Sequence, residues 1–105
     1  MAFVKALNAS ELPAGAVKCV ALQGKKIAIF NVDGQYLAID DTCSHEEASL
    51  SEGTTIKEGD RCAVECPEHG ARFDLRTGKN LTLPATRPVK AYALREVNGV
   101  LEVEI

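Results

Sequence analysis

Residues 35–45, Gln35-Tyr36-Leu37-Ala38-Ile39-Asp40-Asp41-Thr42-Cys43-Ser44-His45, and residues 61–70, Arg61-Cys62-Ala63-Val64-Glu65-Cys66-Pro67-Glu68-His69-Gly70, follow one plan. Each begins as a short aliphatic run and ends in a loop that carries one cysteine and one histidine. The chain has two histidines in all, and both fall in these loops. A strand leading into each loop lets a rigid sheet hold two loop tips at a fixed separation, which is what a preorganised ligand set requires.

Working outward, similar β-branched and aliphatic runs recur between turn signals, over 16–22, 26–32, 35–39, 61–65, 71–75, 89–97 and 100–105. Gly24-Lys25, Asp33-Gly34 and Asn98-Gly99 punctuate them. The last two are favourable hairpin dipeptides because their residues tolerate positive φ. Strands spaced this tightly predict an all-β domain of antiparallel sheets, a sandwich or a partly closed barrel. Helix is expected only as a short turn near residues 10–15, with Ser10 as its N-cap and Pro13 and Gly15 ending it. Residues 46–65 read as a connection or a further short hairpin. No repeat, linker or second domain is apparent, so residues 1–105 are expected to form a single domain.

The ligand types define the chemistry. Cys43, His45, Cys66 and His69 can place both thiolates on one iron and both imidazoles on a second, bridged by two sulfides. With neutral imidazoles the oxidised centre sums to zero charge, whereas four thiolates would leave it doubly negative. An electron is therefore added more easily, and such centres span roughly −150 to +300 mV against about −400 mV for all-thiolate ferredoxins. The competing reading is zinc. A structural zinc site would draw all four ligands onto one tetrahedral ion, usually from pairs of like residues. Here each pair is mixed, which favours the two-iron cluster and leaves a zinc-binding interaction module as the non-redox alternative.

Composition narrows the function further. Twelve Lys and Arg against 15 Asp and Glu give a net charge of −3, with no footprint for nucleic acid. The opening residues 1–8 lack the apolar run of a signal peptide, and no segment reaches membrane-spanning length, so a cytoplasmic protein without a membrane partner is expected. Cys19 and Cys62 lie in strand-like runs and read as small core residues.

Cys43-Ser44-His45 paired with Cys66-Pro67-Glu68-His69-Gly70 resembles the Rieske signature, and the flanking Leu50-Ser51-Glu52-Gly53, Phe73-Asp74 and Thr77-Gly78 extend the likeness over the whole chain. The family it resembles is that of the small Rieske ferredoxins of bacterial aromatic-ring-hydroxylating oxygenases. The resemblance implies three antiparallel sheets with two cluster-binding loops at one tip, and one [2Fe-2S] cluster per chain held by Cys43, His45, Cys66 and His69. It implies that Leu83-Pro84-Ala85-Thr86-Arg87-Pro88 is a loop covering the cluster. It also implies a function: an electron-transfer component, not itself an enzyme, that accepts electrons from an NAD(P)H-dependent ferredoxin reductase and delivers them to a terminal oxygenase. The alternatives are an accessory ferredoxin for another oxidoreductase or for iron–sulfur assembly, and a module like the small subunit of nitrite reductase.

High-potential Rieske subunits of respiratory complexes carry an additional cysteine in each loop, at positions matching Ala48 and Glu68 here, and hydroxyls where this chain has Ala71 and Phe73. Hydrogen bonds to the cluster sulfurs favour the reduced form, so their loss implies a potential near the bottom of the range. Asp40, Asp41, Glu46, Glu47 and Glu68 flank the loops and are expected either to steer a basic partner or to form an ordinary solvated rim.

Overall fold

The computed structural model describes residues 2–44, 48–68, 70–83 and 87–105. Among the described residues ten strands follow in order: β1 Phe3–Asn8, β2 Val17–Leu22, β3 Lys25–Val32, β4 Gln35–Asp40, β5 Thr54–Glu58, β6 Arg61–Glu65, β7 Arg72–Asp74, β8 Ala91–Tyr92, β9 Leu94–Val97 and β10 Val100–Glu104. They pair in three antiparallel sheets, ordered β1-β10-β9, β2-β3-β4-β8 and β5-β6-β7. The all-β expectation and the three-sheet arrangement both hold.

Local chemistry sets the hairpins. Gln23-Gly24, Asp33-Gly34 and Asn98-Gly99 all have positive φ at both positions. They join strands whose flanking residues pair directly, as Leu22 with Lys25, Val32 with Gln35 and Val97 with Val100. That is the two-residue turn whose twist matches the strands it connects. The first turn therefore sits one residue earlier than Gly24-Lys25 suggests.

The central sheet is buried on both faces. Along β3, Ala28, Phe30 and Val32 face a core shared with Val64, Phe73 and Leu75, while Ile27 and Ile29 face a second core with Leu12, Leu101 and Val103. This explains the nearly unbroken apolar run of β3, where a one-sided strand would alternate. Phe30 and Phe73 are almost wholly covered, and each contributes about 1.5–3 kcal/mol of burial free energy. Asn31, also buried, is satisfied: its amide donates to the Leu12 carbonyl at 2.8 Å and its oxygen accepts the Gly34 N–H at 2.8 Å.

Several elements depart from the sequence expectation. The 89–97 run splits into β8 and β9, which join different sheets, with Ala93 at the corner between them. Strand β1 was not expected. Its register slips between Lys5 and Leu7, and this irregularity erases the alternation that would betray it. It pairs with β10 along its length, and the ends of the chain close the ladder through Ile105 N–H to the Ala2 carbonyl at 3.0 Å. The helical turn lies at Ala9–Glu11, preceded by Asn8 rather than capped by Ser10, and Glu11 accepts the Asn8 N–H at 2.9 Å. The 46–65 segment contains a short helical turn, Leu50–Glu52, and then the β5–β6 hairpin.

Gly53 joins that turn to β5 and runs against the strand end that leads to the second loop. A Cβ built there would lie 2.1 Å from the Glu65 carbonyl oxygen, so no side chain fits. Gly53→Ala is expected to cost about 2–3 kcal/mol through backbone displacement. Urea unfolding would show it as a lowered midpoint with an unchanged slope.

Tyr92 fastens β8 to β4, its hydroxyl donating to Asp40 Oδ1 at 2.5 Å. Burial, and then the Asp40 acceptor, push its ionisation well above the ordinary tyrosine value. The folded protein therefore favours the neutral phenol. The resulting stabilisation is complete below about pH 10 and is lost as pH rises from there through the folded-state value. Tyr92→Phe is expected to lower stability by about 1 kcal/mol at pH 8. The gap between variant and parent should narrow at pH 11, as read from urea midpoints at the two values.

Candidate metal centre

The two cysteine loops are built by the same device. β4 ends at Asp40 and hands the chain to Cys43, whose N–H donates to the Ala48 carbonyl at 2.9 Å. β6 ends at Glu65 and is followed at once by Cys66, whose N–H donates to the Ala71 carbonyl at 2.7 Å. Each cysteine thus closes the neck of a loop through an alanine five residues on. The histidines fall inside these loops, and His45, Glu46, Glu47 and His69 lie outside the described residues.

Among the described residues, the expected ligands brought together are the two sulfurs. Cys43 and Cys66 are only 4% and 2% exposed, and their side chains hydrogen-bond to each other. Burial pushes the Cys66 thiol up to about 11, Cys43 adds to the shift, and a backbone N–H from Glu68 pulls against it. No disulfide joins the pair. The surroundings are apolar: Ala71, Phe73 and Leu50 are fully buried in the same core as the two cysteines. Two buried, adjacent sulfurs deprotonate together only beside a strong positive charge, and ferric iron supplies it. The donor set therefore fits two thiolate ligands on one iron.

A third segment reaches both loops from the side. The Leu81 N–H donates to the Arg72 carbonyl at 2.8 Å, and Thr82 Oγ1 accepts the Arg72 N–H at 2.9 Å, beside the second loop. At its other end, Ser44 Oγ donates to the Arg87 carbonyl at 2.6 Å and Arg87 Nη2 donates to the Ser44 carbonyl at 3.2 Å, within the first loop. The expected covering residues, 84–86, lie outside the described residues. Leu83, just before them, is 77% exposed.

The acidic flank differs from its sequence reading. Asp41 is buried, 1% exposed, and takes no part in any solvated rim. Its Oδ1 accepts the Ser51 N–H at 2.9 Å, and its carbonyl accepts the Leu50 N–H at 2.6 Å. Burial alone would raise its carboxyl, but donors from Ser51, Ser49 and Cys19 outweigh that and hold it below the usual carboxylate range. Asp40 is engaged by Tyr92, which leaves Glu68 as the exposed acid of the described flank. The sequence signal for Asp41 was its place next to serines at 49 and 51 across a six-residue loop, legible only once the neck is known.

Cys19 is a second correction. It is exposed on β2, an edge strand, whereas Cys62 is buried in the core as expected. Burial of its sulfur and the neighbouring Asp41 carboxylate raise the Cys19 thiol, whose S–H points at that carboxylate.

The comparisons agree with this geometry. Residues 2–93 match the family model of the Rieske [2Fe-2S] domain. The chain is 45% identical over 90% of its length to a 3-phenylpropionate/cinnamic acid dioxygenase ferredoxin subunit of Photorhabdus laumondii, covering 87% of that protein. Its structure superposes on the ferredoxin of carbazole 1,9a-dioxygenase from Nocardioides aromaticivorans with a TM-score of 0.89 and 30% identity, covering 98% of this chain and 97% of that one. It also superposes on a chain of a complex of reduced oxygenase and oxidised ferredoxin in carbazole 1,9a-dioxygenase, at TM-score 0.84 and 35% identity over 96% of this chain and 91% of the other. Two sulfurs buried at the necks of paired loops, on three antiparallel sheets, thus have a family: the chain belongs to the Rieske [2Fe-2S] domain proteins, and its cofactor is their two-iron, two-sulfide cluster.

Proposed function

We propose that this chain is a low-potential ferredoxin of the cytoplasm, residues 1–105 acting as one domain, that carries single electrons from an NAD(P)H-dependent reductase to a terminal oxygenase. The observation that carries the reading is the pair of identically closed loops with their sulfurs in contact, in a chain nearly half identical to a dioxygenase ferredoxin subunit. No helix among the described residues is long and apolar enough to cross a membrane.

Cys43 and Cys66 would hold one iron, and His45 and His69 the other. When bound, the cluster supplies a one-electron couple at moderate potential. The protein's own residues do the rest. Ala71, Phe73 and Leu50 keep water from the thiolate side, which limits the solvent that must reorganise on electron transfer. The neck hydrogen bonds fix the two cysteines before any ligand binds. Ala71 and Phe73 offer no hydroxyl to a cluster sulfur, which supports a potential in the lower part of the Rieske range. Leu83 provides an apolar contact on the segment that ties the two loops together, suited to docking on a partner. The chain makes and breaks no substrate bond.

Anaerobically purified protein is expected to contain equal iron and acid-labile sulfide, with a rhombic electron paramagnetic resonance signal of low average g after reduction. Cys43→Ala, Cys66→Ala, His45→Ala and His69→Ala should each abolish that signal, whereas Cys62→Ala should keep it. A colourless protein with stoichiometric zinc, even after reconstitution, would overturn the electron-carrier reading. A midpoint potential well above zero would overturn its low-potential form.

A further inference from the structure

Asp41 is the one acidic side chain among the described residues that lies buried in the core region, and the carrier function leaves it without a role. It sits two positions before Cys43, at the root of the first loop, and ties that root on every side. Its N–H donates to the Lys26 carbonyl on β3 at 3.0 Å, its carbonyl accepts Leu50 N–H, and its carboxylate accepts Ser51 N–H. Thr42, next along, bridges to Ser49. Asp41 therefore spans the neck, its backbone N–H held to the strand and its carbonyl and carboxylate holding the returning chain.

Donors also converge on this carboxylate from the hydroxyls of Ser49 and Ser51 and from the thiol of Cys19. Packing alone does not require an acid here, because a neutral residue would spare the cost of burying charge. The feature is a buried, fixed anion at the root of the loop that carries Cys43, two residues before it in the chain.

We propose that Asp41 lowers the reduction potential of the metal centre, its carboxylate pinning the loop that carries Cys43 and holding a negative charge two residues from that sulfur. The inference rests on Cys43 being an iron ligand. Reduction adds one negative charge to the cluster, and a nearby anion in a poorly screened interior opposes it. Asp41 is a positioning residue in this scheme, acting through the loop and through space without touching the cluster. Its serine and cysteine donors offset part of its charge, so they act in the opposite direction.

The test is the midpoint potential of the holoprotein at pH 8, with iron content and g values recorded for each variant. Asp41→Asn keeps the shape and removes the charge. The expected result is a potential raised by about 59 mV, corresponding to a roughly tenfold shift in the one-electron reduction equilibrium, with unchanged g values. The double variant Ser49→Ala, Ser51→Ala keeps the charge and removes two donors, and its potential is expected to fall. A merely structural role would move both variants the same way, through loosening of the loop. An unmoved or lowered potential in Asp41→Asn overturns the proposal. If that variant fails to hold a cluster, an unmoved or raised potential in the double serine variant overturns it instead. A normal parent signal that persists in Cys43→Ala would defeat the ligand reading beneath it, which is a separate outcome.

Discussion

The hydrogen bond from the Cys66 N–H to the Ala71 carbonyl, repeated between Cys43 and Ala48, is the constraint on which the site depends. A loop of six residues whose first N–H is tied to its last carbonyl has little freedom left in its root. Its cysteine is then placed by the strand behind it. Because β4 and β6 belong to different sheets that share one core, the two roots converge and the sulfurs meet. The alanines at the closing positions are small for a reason: Ala71 is fully enclosed and Ala48 packs against the same core, so a larger side chain at either neck would press on the core that holds the cysteines.

The core beneath this tip explains how so small a protein holds it steadily. β3 is covered on both sides, so the central sheet is a wall with the metal-side core on one face and the terminal sheet on the other. Exposed contacts, the ion pair of Lys57 with Asp33 and the hydrogen bond of Arg76 with Gln35, link the hairpin tip of the central sheet to the β5-β6-β7 side. At such exposure each is worth little, and the alignment of the sheets comes from Phe30, Val64 and Phe73 between them.

Much of this was legible from residues alone. Asp33-Gly34 and Asn98-Gly99 announced their hairpins because positive φ is a local demand with a local chemical answer. The paired Cys and His residues announced the site because two mixed ligand pairs seldom arise from packing. What escaped was non-local or irregular. β1 is disguised by the slip between Lys5 and Leu7 and is defined only by β10, at the far end of the chain. Cys19 has the sequence surroundings of a core residue but lies on the edge strand, and sequence does not say which strand is at an edge. Asp41 reads as one more surface acid until the chain returns at Ser49 and Ser51 to enclose it.

The β1–β10 pairing also fixes an order of assembly. Strand β1 has no partner until β10 exists, whereas the β5-β6-β7 sheet, with the neck of the second loop, is assembled entirely from residues within 54–74. Local hairpins close quickly, and pairing across the full length of a chain closes last because its entropic cost comes before its contacts. During synthesis the Cys66 loop can therefore take shape while β1 still waits for its partner. The outer sheet then seals the far face of the central wall only once β10 has been made.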